Sequence, residues 1–169
     1  MKKTILIITT LLCSVWSILA SELEFTIDLN DTNALPSALL KVVNEAYDCN
    51  MKGLSLLDKG NLDGALNQFN DAIQLLPDYD DAINNRGVVY YRKGLVEDAQ
   101  KIWEALAVKK PEYAIASYNI ALVYLHEHNN EAAARLFERA LKFNKNFVEA
   151  LVRYGYLQMQ TGKMDSGLE

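Results

Sequence analysis

The chain has 169 residues, half of them apolar, with 17 Lys and Arg against 22 Asp and Glu. That is room for one domain with a packed core, and it excludes a disordered chain. The acidic balance, with no basic block beyond pairs such as Lys109-Lys110, excludes a nucleic-acid binder that tracks phosphates with clustered Lys and Arg.

Met1-Lys2-Lys3 opens the chain with positive charge. Residues 4–20, TILIITTLLCSVWSILA, carry none, and SELEF then restores polarity. This order predicts a secretory signal peptide over 1–20, cut after Ala20. The alternative is an uncleaved membrane anchor, since about 17 apolar residues is the lower edge of bilayer-spanning length. Lipidation at Cys13 is disfavoured by Leu12, which stands where a small residue is wanted. Cleavage would remove Lys2 and Lys3 and no acid, taking the formal net charge from −5 to −7. Cys49 would then be the sole cysteine, so export implies no internal disulfide. Cys49 reads as a small buried hydrophobe. The compact basic start and long apolar run point to a bacterial envelope or periplasm.

Residues 21–45 form an extended segment and an N-terminal helix. Leu23, Phe25, Ile27 and Leu29 alternate with Glu22, Glu24, Thr26 and Asp28, which is strand periodicity. Pro36 suits the first turn of a helix, where its missing N–H costs nothing. The helix from Pro36 runs to Lys59, either unbroken or as a short cap followed by a repeat.

From residue 46 the chain repeats itself at an interval of 34. Gly53, Gly87, Ala121 and Gly155 form one column, and Ala65, Ala99, Ala133 and Gly167 another. Phe69, Trp103 and Phe137 follow, then Ala72, Leu106 and Ala140. Pro77 and Pro111 match, with Lys145 the exception, and Tyr79, Tyr113 and Phe147 close the unit. The units are 46–79, 80–113 and 114–147, with a partial fourth unit or capping helix over 148–169. Each full unit reads as two helices. In the second, Asp80 to Arg92 ends at Lys93-Gly94, and Val96 to Val108 ends before Pro111. The small residues, such as Gly87 and Ala99, would let the two backbones approach. Phe69, Trp103 and Phe137 would fill the wedge between one pair and the next. A single pair cannot bury its apolar face, and stacking makes a continuous core.

Gly53, Ala65, Phe69, Ala72 and Pro77 form a small, small, aromatic, small, proline series. It recurs as Gly87, Tyr90, Ala99, Trp103 and Pro111, and again as Ala121, Tyr124, Ala133, Phe137 and Ala140. In this the chain resembles the tetratricopeptide repeat (TPR) family, departing from it at Leu106 and Lys145. The resemblance implies an all-α solenoid of stacked antiparallel helix pairs wound into a right-handed superhelix.

No catalytic constellation stands out. HEHNN at His126–Asn130 is not the H-E-x-x-H metal motif, because residues two apart diverge on a helix. No metal ligand set and no cofactor-binding loop is expected, and Asp80-Asp81 reads as a dipole-matched helix start. The expectation is a binding protein, not an enzyme.

In the family the first helices of successive units line a concave groove that takes extended peptides or partner helices. The resemblance places Asn50, Asn84, Asn85, Tyr91, Arg92, Tyr118, Asn119, Leu122, Arg153 and Tyr156 on that groove. Asn85 and Asn119 share one column, with Asn50 and Asn84 in the column beside it. An asparagine both donates and accepts, so it can pair with any peptide backbone, and tyrosines add flat amphipathic surface. Some members clamp a terminal carboxylate with a lysine and an asparagine in the first unit. Here Asn50 and Leu54 replace them, so that activity is not expected. The leading expectation is an exported scaffold or adaptor that binds a protein or peptide. It would meet a membrane only through an uncleaved N-terminal segment. The alternatives are a self-associating structural subunit and a small-solute-binding transport accessory.

Overall fold

The computed structural model describes residues 37–162. The predicted signal peptide over 1–20, the 22–29 stretch of predicted strand periodicity, Pro36 and the residues after Gly162 lie outside the described residues. Among the described residues seven helices follow in order: α1 Ser37–Asp58, α2 Leu62–Leu75, α3 Asp80–Arg92, α4 Val96–Lys109, α5 Ala114–His126, α6 Asn130–Phe143 and α7 Val148–Gln160. Each packs on its neighbours in chain order, and α1 also reaches α3. Short turns between them make the pairs α1/α2, α3/α4 and α5/α6 antiparallel hairpins stacked into a solenoid. Among the described residues the first helix is unbroken from Ser37 to Asp58.

Local chemistry sets the breaks. The turn after each first helix needs one residue with left-handed backbone. Gly60, Gly94 and Gly162 supply it at φ +76°, +79° and +69°, where no Cβ stands in the way. In the third unit His128 takes the same conformation at φ +59°. Asn61 and Asn129 then cap α2 and α6, accepting from the backbone N–H groups of Gly64 (3.0 Å) and Ala132 (3.1 Å). Acidic residues fill the first turns of α3 (Asp80, Asp81) and α4 (Glu97, Asp98), opposing the positive end of the helix dipole.

The small columns are buried as the repeat demands: Ala65, Ala72, Ala99, Ala133 and Ala140 have no exposed surface. Their partners differ from the expectation in one respect. Gly87 does not bring backbone against backbone. A Cβ built there would stand 2.5 Å from Trp103 Nε1, and at Gly53 2.5 Å from Phe69 Cε1. The glycines are recesses for the aromatic rings of their own hairpins, so Phe69 and Trp103 lock a pair internally before they wedge between pairs. Trp103 also donates its Nε1–H to the Asn84 carbonyl (3.3 Å). Phe137 faces Ala121 in place of a glycine, and its ring lies between Tyr118 (5.8 Å) and Tyr154 (6.5 Å), touching its own unit and the next.

Candidate functional site

The first helices α1, α3 and α5 lie side by side, and their shared face carries the asparagine columns. Hydrogen bonds run between the columns. Asn119 Nδ2 donates to Asn84 Oδ1 (2.7 Å), and Asn84 Nδ2 to Asn85 Oδ1 (3.4 Å). Asn85 Nδ2 donates to Asn50 Oδ1 (3.0 Å), and Asn50 Nδ2 to the Tyr79 hydroxyl (3.4 Å). A polar chain thus crosses three helices. The helical offset between adjacent units brings an asparagine of one column level with the other column of the unit before it. Asn50 and Asn84 are buried, at 4% and 7% exposed, while Asn85 and Asn119 are half-buried. The first two therefore floor the face and the second two reach solvent.

Counting valences shows what remains for a ligand. An amide side chain has two N–H donors and an oxygen with two acceptor sites. Asn85 uses one donor on Asn50, and its oxygen receives Asn84. Asn119 uses one donor on Asn84, and its oxygen has no partner among the described residues. Asn119 can therefore still donate once and accept twice, and Asn85 can still donate once and accept once. Each thus keeps the complement of one peptide unit, with more acceptor capacity left at Asn119.

The other predicted site residues divide. Tyr91 is half-buried with its ring 6.1 Å from that of Trp103. Tyr118 stacks on Phe147 (4.9 Å) and Phe137, and half-buried Leu122 packs in the same cluster. These three give the face its apolar walls but are held by the core. Arg92 donates from Nη1 to the Leu57 carbonyl (3.0 Å), so its head is tied to the end of α1. Arg153 and Tyr156 stand exposed on α7, away from the asparagine chain.

Two features escaped the sequence. Arg139 Nη2 donates to the Ala107 carbonyl (2.8 Å), as Arg92 does to Leu57. Both bonds reach carbonyls in the last turn of a helix, that of Leu57 being shared with the Gly60 N–H (3.1 Å), and both join one unit to the one before. The second is a set of half-buried phenols. Tyr113 donates to Asp81 Oδ1 (2.7 Å), and Tyr154 donates to Glu138. Burial first, and then the adjacent carboxylate, pushes both hydroxyls above the ordinary phenol range. Burial does the same to Tyr79, opposed by its bond from Asn50. Among the described residues, no group of three or more His, Cys, Asp or Glu side chains is placed to hold a metal, and no helix is long and apolar enough to cross a membrane.

Comparison with known proteins fits this architecture. Family models described as TPR repeat and tetratricopeptide repeat match residues 53–94 and residues 89–147 and 118–169. Tetratricopeptide repeat protein 36 of Danio rerio is 30% identical over 123 residues, covering 70% of this chain and 64% of that protein. Tetratricopeptide repeat protein 6 of Homo sapiens is 28% identical over 88 residues, 52% of this chain and only 17% of the relative. Among solved structures, the first TPR of Spaghetti (RPAP3), bound to the HSP90 peptide SRMEEVD, superposes with a TM-score of 0.61. The two are 18% identical, and the match covers 71% of this chain and 95% of that one. With matched repeats running from residue 53 to the end of the sequence, and three hairpins stacked through glycine, alanine and aromatic columns, the chain belongs to the tetratricopeptide repeat family.

Proposed function

We propose that the chain is a binding scaffold that holds an extended peptide segment of a partner protein across α1, α3 and α5. The observation that carries this reading is the unfilled valence of Asn119 beside the remaining donor of Asn85, on a face walled by Tyr118 and Leu122. The asparagine chain beneath supplies rigidity: its members are oriented by one another before any ligand arrives, which lowers the ordering cost of binding. The peptide held by the RPAP3 repeat in its structure is a precedent for the fold. This chain has Asn50 and Leu54 where the carboxylate clamp needs lysine and asparagine, so the reading favours backbone recognition over a charged terminus. The basic start and uncharged run over 4–20 support export to a bacterial envelope.

The test is selection of a random dodecapeptide phage library on the 169-residue chain, followed by affinity measurement of the enriched peptides on Asn119→Ala. Loss of one or two hydrogen bonds to the peptide weakens binding by about tenfold or more, with far-UV circular dichroism unchanged. Failure to enrich any peptide, or equal affinity for the variant, refutes the reading.

A further inference from the structure

Arg86 stands in a column that the next unit gives to its core. Thirty-four residues on, the same place holds Ile120, which is 4% exposed and shares a cluster with Trp103 and Leu106. The Arg86 side chain is half-buried, and its Nε is closed off from solvent without a hydrogen-bond partner. No carboxylate among the described residues pairs with its guanidinium. A snorkelling arginine carries its whole charged head out into water. Arg86 keeps part of that head inside, where an unpaired charge is costly. The arginines of the next unit differ: Arg135 pairs with Glu131, and Arg139 is bonded to the Ala107 carbonyl.

Arg86 opens onto a cleft between α3 and α4 of about 300 Å³, at the small end of ligand pockets. Ile83, Ile102 and Leu106 give it an apolar floor. Lys101 and Lys109 are its other charged members, and no Asp or Glu lines it. Lys109 is held by Asp78, and exposed Lys101 lies 3.7 Å from Asp98. Arg86 is thus the cation of the cleft that lacks a counter-ion among the described residues. We propose that the cleft binds an aliphatic carboxylate, its head paired with the Arg86 guanidinium and its chain laid on Ile83, Ile102 and Leu106. Charge and chemistry select this occupant. A lining of one sign draws an anion, and a guanidinium fork matches the two oxygens of a carboxylate. The apolar floor offers no hydrogen bonds to a sugar or nucleotide body, and about 300 Å³ suits a chain of about eight carbons. The inference does not rest on the peptide reading, because the cleft includes no member of the asparagine chain.

Isothermal titration of the 169-residue chain with octanoate tests it, with acetate, inorganic phosphate and octanamide alongside. The parent binds octanoate saturably, with a Kd on the order of 1 mM or below. Acetate and phosphate lack the chain and octanamide lacks the charge, so each binds at least about tenfold more weakly. Arg86→Met lowers octanoate affinity by at least about tenfold, and its thermal midpoint without ligand rises because an unpaired charge has left the interior. Arg86→Lys keeps the charge but not the fork, and its affinity falls between the two. A parent that octanoate does not saturate, as would follow if the cleft took an acidic side chain of a partner protein instead, overturns the proposal. Equal affinity for Arg86→Met places the ligand elsewhere and overturns it too. Equal affinity for acetate or phosphate leaves an anion site with no use for the apolar floor, and equally overturns it. A lower midpoint in Arg86→Met overturns the premise that the guanidinium is unmatched.

Discussion

One substitution at two positions of one column has opposite signs. Gly→Ala inside a helix normally gains about 1 kcal/mol from propensity alone. At Gly87 the new methyl would stand 2.5 Å from Trp103 Nε1 and 2.8 Å from Cε2. The indole cannot swing clear, because it is 3% exposed, packed near Tyr91 and bonded to the Asn84 carbonyl. Overpacking of this kind costs roughly 1–3 kcal/mol, and the stretched hydrogen bond adds about 1 kcal/mol. Gly87→Ala is therefore destabilising by roughly 1–3 kcal/mol after the propensity gain. At Gly155 no atom of the described residues lies within 4 Å of the added carbon, and the propensity gain of about 0.5–1 kcal/mol stands unopposed. Urea unfolding followed by circular dichroism measures both, a shifted midpoint at unchanged m-value reporting a change in stability. Equal signs for the two variants, or a Gly87→Ala chain as stable as the parent, would refute the account of the glycine column as ring recesses.

His128→Gly stabilises the chain by about 0.5–1 kcal/mol in the same assay, since the left-handed backbone at φ +59° strains a side chain that glycine lacks. Ser117→Ala raises the thermal midpoint: the Ser117 hydroxyl is fully buried and has no hydrogen-bond partner among the described residues, so its removal relieves a desolvation cost of about 1 kcal/mol or more. Alkaline unfolding provides a pH test. Tyr79, Tyr113 and Tyr154 have hydroxyls held above the ordinary phenol range, so the unfolded chain loses these protons first. The stability they contribute is whole below about pH 10 and falls as pH rises beyond it. Absorbance at the phenolate band records a late-titrating class of tyrosine, and Tyr113→Phe both shrinks that class and flattens the alkaline loss.

The repeat was legible because its physics is local and periodic. Gly53, Gly87, Ala65 and Ala99 are small for reasons renewed every 34 residues, and the bounds of α3 coincide with the run from Asp80 to Arg92 because its stop signal, Lys93-Gly94, is written in the chain. The face along α1, α3 and α5 was legible as columns of asparagine, but their bonding was not. Whether Asn85 meets Asn50 or solvent depends on the axial offset between adjacent helices, which composition does not encode. The bonds of Arg92 and Arg139 were hidden for a related reason: an arginine on a helix surface looks solvated until the carbonyl end of the preceding unit is known to lie within its reach. Tyr118 reads as ligand-facing from its column, yet the neighbouring Phe137 and Phe147 offer its ring more contact than water does.

The asparagine chain does not run the length of the molecule. Beyond Asn119 the equivalent places are held by Tyr118, Val152 and Arg153, and among the described residues no amide bond links α5 to α7. Drawn apart by its two ends, the solenoid has a weak seam there. α7 slides off its aromatic bed at low force, while α1, α3 and α5 shear only when their interlocked amides rupture together, so a force trace shows one early, shallow step before the main event.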